Sequence, residues 1–132
     1  MHERFQPGDQ KIYQRTVQPT DVAAFESGLV HPVYATFALA RDLEWSTRLF
    51  VLEMKEEDEE GIGTRLSVVH HSPAGVGEAL QFTATVKAWE GNELICQVEV
   101  HCGQRLVATG ETGQKILKRA KLEKLFMGLP KS

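Results

Sequence analysis

Val33–Met54 reads VYATFALARDLEWSTRLFVLEM, with charge only at Arg41, Asp42, Glu44, Arg48 and Glu53. Almost every other position is apolar or small, so most of this segment's circumference is expected to be buried. His31-Pro32 breaks the chain just before it, and proline is a favourable residue at a helix entry. The segment predicts one long helix of about 30 Å, at about 1.5 Å per residue. Four strand-like segments follow, and no second comparable helix. Ile62–His71 is introduced by Gly61 and Gly63. Ala79–Trp89 alternates, with Leu80, Phe82, Ala84, Val86 and Ala88 on one face, as in a half-buried antiparallel strand. Glu90-Gly91-Asn92 is a hairpin turn into Leu94–Cys102, and Gly103 turns again into Leu106–Leu117. Strands of about ten residues span about 33 Å, which matches the helix. The expected fold class is α+β, an antiparallel sheet of about five strands wrapped around one central helix.

Upstream, Lys11–Val17 supplies a first strand and Gln18–Asp21 a turn. Val22–Val30 is expected to form a short helical turn ended by Gly28. Downstream, Leu122, Leu125, Phe126 and Leu129 have the spacing of a short amphipathic helix. The 132 residues predict a single domain over 1–132, with a core of about 11–117 and a basic tail over 118–132. Open sheet edges pair readily with a second copy, so a dimer is expected.

The net charge of −3 argues against a general nucleic-acid binder. Charge is nonetheless segregated, with an acidic run Glu56–Glu60 and a basic end containing Lys118, Arg119, Lys121 and Lys124. That basic end is a candidate contact for a phosphate-bearing ligand. No stretch approaches the roughly 18 apolar residues of a membrane span, and MHERFQPGDQ has no apolar leader core. Cys96 and Cys102 are six positions apart on one expected strand, about 20 Å, beyond disulfide reach. A cytoplasmic setting and no membrane contact are therefore expected. The sequence lacks HxxxH, CxxC, GxSxG, a phosphate loop and a dinucleotide fingerprint, so neither a metal nor a resident cofactor is expected.

Three polar residues stand where helix and sheet should meet. Strand alternation puts Leu66, Val68 and His70 on one face, and Arg65, Ser67, Val69 and His71 on the other. The first set is more apolar, so His70 is expected to face inward, where a neutral imidazole can act as acid or base. Thr36 lies in the first helical turn. It reads as a packing hydroxyl, a nucleophile or a donor to substrate, beside a helix terminus that favours developing negative charge. Glu44 follows eight residues later, about 12 Å along the axis. It reads as a surface partner of Arg41 and Arg48, or as a carboxylate that orients a water.

VYATFALARDLEW, GTRLSVVHHSPAGVGEALQFTATV and EGNELICQVEVHCGQRLVATGETGQKIL together resemble the hotdog-fold thioesterases, in the branch similar to fluoroacetyl-CoA thioesterase. The likeness runs over roughly residues 19–116. The family pattern places a threonine at the helix start, a glutamate eight residues on, and a histidine on the next strand after a Gly-Thr. Those positions are Thr36, Glu44 and His70, with Gly63 and Thr64 as the Gly-Thr. The resemblance implies a homodimer or dimer of dimers with sites at the subunit interface. It also implies hydrolysis of an acyl-CoA thioester to an acid and free coenzyme A, the coenzyme being part of the substrate. Thr36, Glu44 and His70 would be catalytic, and Gly63 and Thr64 would bind substrate. GLVHPVY carries Val30 and His31 where the fluoroacetyl-specific branch has an aromatic lid, so that selectivity is not implied. A non-catalytic acyl-CoA-binding module and a hotdog hydratase or dehydratase are the alternatives.

Overall fold

The computed structural model describes residues 1–25 and 28–130. The long helix, α1, runs Thr36–Met54 and lies across one face of a five-stranded antiparallel sheet. The strands are β1 (Gln10–Thr16), β4 (Glu59–His70), β5 (Ala79–Glu90), β6 (Glu93–Cys102) and β7 (Arg105–Lys118). Their order is β1-β5-β6-β7-β4, so β1 and β4 are the edges. A short helix, α2 (Arg119–Met127), follows β7. This is the α+β arrangement expected from the sequence.

The core is the meeting of two periodicities. Leu39, Leu43, Phe50, Val51 and Met54 line one side of α1. Leu80, Phe82, Ala84 and Val86 of β5 and Leu94, Cys96, Val98 and Val100 of β6 face them. Close approach also depends on a missing side chain. A Cβ at Gly110 of β7 would lie 2.6 Å from Leu43 Cδ1 and 2.6 Å from the Ser67 backbone oxygen.

Two expectations change. The helix starts at Thr36 rather than Val33, because Val33 and Tyr34 complete a strand. The expected helical turn over Val22–Val30 is instead extended: β2 (Val22–Phe25) pairs antiparallel with β3 (Gly28–Tyr34). Residues 26 and 27, and the side chain of Val30, lie outside what is described. The hairpin is held at its feet, which local propensity could not reveal. The Ala35 N–H donates to the Asp21 carbonyl (2.8 Å), and the Tyr34 N–H donates to the Ala74 carbonyl (2.8 Å).

A buried ionic clasp reinforces those feet. Asp21 and Asp42 are both buried. Arg15 Nη2 donates to both Asp21 carboxylate oxygens at 2.7 Å, and its Nε lies 2.9 Å from Asp42 Oδ2. Arg41 bridges the same pair, Nη2 to Asp21 Oδ1 and Nε to Asp42 Oδ1, both at 3.0 Å. The Tyr34 hydroxyl donates to Asp42. Burial works to raise the Asp21 pKa, but the Gln18 backbone N–H and the two guanidinium groups prevail and hold it below the ordinary 3.8. Burial and the Asp42 charge push the Tyr34 phenol up. The clasp fixes the residues just before Thr36.

Candidate active site

Thr36 opens α1 directly after Ala35, the N-cap residue, whose side chain makes no capping hydrogen bond. Its hydroxyl oxygen lies 3.1 Å from His70 Nδ1. His70 ends β4 on the face turned toward α1, as alternation predicted. With Nδ1 accepting from the hydroxyl, a neutral imidazole carries its proton on Nε2. That atom is buried and meets no protein partner among the described residues. Burial pushes the His70 pKa below 6.5; the Ser72 backbone opposes the shift and the neighbouring His71 adds to it. A hydroxyl bonded to a neutral, desolvated imidazole is the geometry of a nucleophile and its base.

Glu44 sits two turns further along α1, half-buried. It does not form the surface pairs that its spacing allows. Arg41 turns to Asp21 and Asp42, while Arg48 donates to the Gly61 carbonyl (3.2 Å). Glu44 makes no ion pair among the described residues. Its carboxylate leans on Gly63, where a Cβ would stand 2.5 Å from Glu44 Oε1. The backbone conformation there would accept a side chain, but a Cβ would displace the Glu44 carboxylate from its present place.

Gly63 faces the helix because of an irregularity that alternation alone misses. On β4, Gly63 pairs with Gln114 and Arg65 pairs with Gly113, so Thr64 is an extra residue in the ladder. This bulge flips the parity of the strand. Gly63 thereby joins Leu66, Val68 and His70 on the inner face. Thr64 is carried to the other side, where its hydroxyl donates to Glu93 Oε1 (2.9 Å) beside Arg65. The structure therefore joins Thr36 to His70 and Glu44 to Gly63, and directs the Thr64 side chain away from both pairs.

A buried polar triad under Glu44 was not foreseen. The Thr47 hydroxyl donates to the Glu44 carbonyl (2.9 Å) and accepts from the Thr112 hydroxyl (2.9 Å) and from Gln114 Nε2 (2.8 Å). TGETGQ in β7 was the available signal, since Thr112 and Gln114 take alternate positions on a strand otherwise packed inward.

The basic tail is largely neutralised at its base. Lys118 pairs with Asp58 and Arg119 with Glu60, both at 3.0 Å. Among the described residues no group of three potential metal ligands occurs, and no helix is long and apolar enough to cross a membrane.

The fluoroacetyl-CoA-specific thioesterase family, FlK, matches residues 17–120. The chain belongs to that family. A thioesterase-superfamily protein from Thermus thermophilus is 35% identical over 92% of this chain and 90% of its own, with a TM-score of 0.88. FlK itself is 21% identical, with a TM-score of 0.86 over 97% of this chain and all of FlK. A hot-dog-like protein from Thermanaerovibrio acidaminovorans gives 21% identity and a TM-score of 0.86, over 97% of this chain and 96% of its own. No curated protein sequence matches significantly. The fold is thus the hotdog fold, and the family's chemistry is thioester hydrolysis.

Proposed function

We propose that this acyl-CoA thioesterase works through Thr36, His70 and Glu44. The observation that carries the reading is the Thr36 Oγ1 to His70 Nδ1 hydrogen bond at the start of α1. An oxygen nucleophile at that point, the hydroxyl or a water it holds, attacks the thioester carbonyl while His70 takes its proton. The oxyanion forms beside the helix N-terminus and the Gly63 backbone, where oriented dipoles favour negative charge. Collapse breaks the carbon–sulfur bond, and the proton held on His70 passes to the leaving sulfur. Where the hydroxyl attacks, a water oriented by Glu44 then adds to the acyl-Thr36 ester, and His70 takes its proton and returns it to the Thr36 oxygen as the acid leaves. Where water attacks, Glu44 orients that water and collapse releases the acid directly. This route uses no resident cofactor. A pure binding module has no need of a hydroxyl paired with a desolvated imidazole.

The working unit is proposed to be a homodimer formed through β4. In one protomer the two residue pairs are about 12 Å apart along α1. Strand β4 is an unpaired edge, and Leu66, Val69, Phe37 and Trp45 near it are large, apolar and exposed. Antiparallel pairing of two β4 edges about a point between Leu66 and Ser67 sets the Gly63 end of one copy against the His70 end of the other. Each complete site then combines both copies. Both cysteines are free, which suits a reducing compartment such as the cytoplasm.

The test is release of free thiol from a panel of short, medium and aromatic acyl-CoAs, with sedimentation to give the oligomeric state. Turnover of at least one acyl-CoA by a dimer is expected. Tight acyl-CoA binding without thiol release would return the protein to the binding-module reading.

A further inference from the structure

Gln114 is 1% exposed, yet it carries a full amide into the core. Its surroundings are specific. It is the β7 partner of Gly63, the glycine against which Glu44 leans. Its Nε2 donates to Thr47 Oγ1 at 2.8 Å, and that hydroxyl in turn donates to the Glu44 carbonyl at 2.9 Å. Thr47 has no remaining capacity, since its second acceptor position takes the Thr112 hydroxyl. The amide orientation is therefore fixed by the network: with Thr47 already donating, Gln114 must offer its NH2. Oε1 is left buried without a protein partner among the described residues. A core that needed only volume here would be served by leucine or methionine, without an acceptor to satisfy.

We propose that Gln114 is a positioning residue for Glu44. It acts from the sheet through Thr47, fixing the turn of α1 from which the carboxylate projects over Gly63. The inference rests on the reading of Glu44 as a catalytic carboxylate. Gln114 touches both things that define where that carboxylate stands: the strand residue beneath it and the hydroxyl that ties its own backbone.

The experiment is steady-state thiol release by the full-length protein, on the best acyl-CoA of the panel. Gln114→Met keeps the volume and removes the amide; Thr47→Val keeps the shape and removes the hydroxyl; Thr47→Ser restores the hydroxyl. Gln114→Met and Thr47→Val are each expected to lower kcat about tenfold with KM within twofold, and Thr47→Ser to retain wild-type kcat. The double variant is expected to lose little more than either single, because both changes cut one path. Losses that multiply, an unchanged kcat in Gln114→Met, or Thr47→Ser as impaired as Thr47→Val would overturn the inference. These outcomes are separable from failure of the underlying reading. That failure would show as no thiol release by the wild type, or full activity in Glu44→Ala.

Discussion

The two halves of the candidate site are built by opposite means. At the start of α1, Thr36 and His70 are joined by a direct hydrogen bond between groups with side chains. Two turns on, Glu44 is located by what is absent, a glycine with no Cβ on a strand shifted by one residue. The first arrangement tolerates small shifts, because a hydrogen bond can flex. In the second, any added atom lies in the carboxylate's place and must move it. One half should therefore fail by losing chemistry, the other by losing space.

The largest effect is expected from removing the chemistry. His70→Ala and Glu44→Ala should each cut kcat/KM by about 10²–10⁴-fold, the usual range for a positioned acid or base. Thiol release together with a circular-dichroism melt checks this. Loss in only one of the two variants would mean that the halves do not share a reaction. Mass spectrometry of Glu44→Ala during turnover sharpens the point: an added acyl mass on Thr36 identifies the hydroxyl itself as the nucleophile.

The next effect separates space from stability. Gly63→Ala should lower kcat about 10²-fold, since a displacement of about 1 Å can cost that much. Its melting temperature should barely change, because the atom in the way is the mobile end of Glu44. Gly110→Ala makes the same chemical change under Leu43 and the Ser67 backbone. There the neighbours cannot yield, and about 1–3 kcal/mol of stability should be lost by overpacking. Two alanine substitutions on adjacent strands should thus sort cleanly, one into activity and one into stability. If both simply destabilise, Gly63 is a packing residue.

How much of this was legible follows from the same contrast. Period-two alternation placed His70 inward, since only parity matters for that and the strand is regular from Arg65 to His70. It could not place Gly63, because a bulge changes the count without leaving a mark in composition. The helix was readable from its apolar density, but its start was not. Val33 and Tyr34 are as apolar as the helix, and tertiary contacts at Ala74, Gly75 and Asp21 hold that stretch extended. For the same reason Val22–Val30 read as helix. Arg41 and Arg48 had the spacing to pair with Glu44, yet buried carboxylates and a carbonyl elsewhere won both guanidinium groups. Surface pairing is worth only about 0.2–0.5 kcal/mol, too little to compete.

A smaller effect should appear in the pH dependence. His70 is held below 6.5 by burial, so the neutral, proton-accepting form persists into mildly acidic solution. The acid limb of kcat/KM should therefore fall below pH 6.5. The sign for stability follows from the same shift. The unfolded chain binds the proton at higher pH than the folded one, so stability is complete above 6.5 and is lost as pH falls below it toward the folded-state pKa. Denaturant titrations of wild type and His70→Asn should diverge in that window and run parallel above pH 7. An acid limb above 6.5 would mean that the imidazolium is charge-stabilised in the working enzyme, so that burial does not set the His70 pKa there.

The smallest effect is expected outside both halves, at the base of the tail. Lys118 and Arg119 looked suited to coenzyme A phosphates, but they are occupied by Asp58 and Glu60, and the Arg119 N–H also donates to the Asp58 carbonyl at 2.7 Å. A cation already paired gives a phosphate little net attraction, because the new contact replaces an old one. Lys118→Gln with Arg119→Gln should leave the KM for acyl-CoA within twofold at 0.15 M salt. A rise of more than threefold, shrinking as salt is added, would show that the pairs open to meet the substrate. The two halves would then have a third, electrostatic element beyond β4.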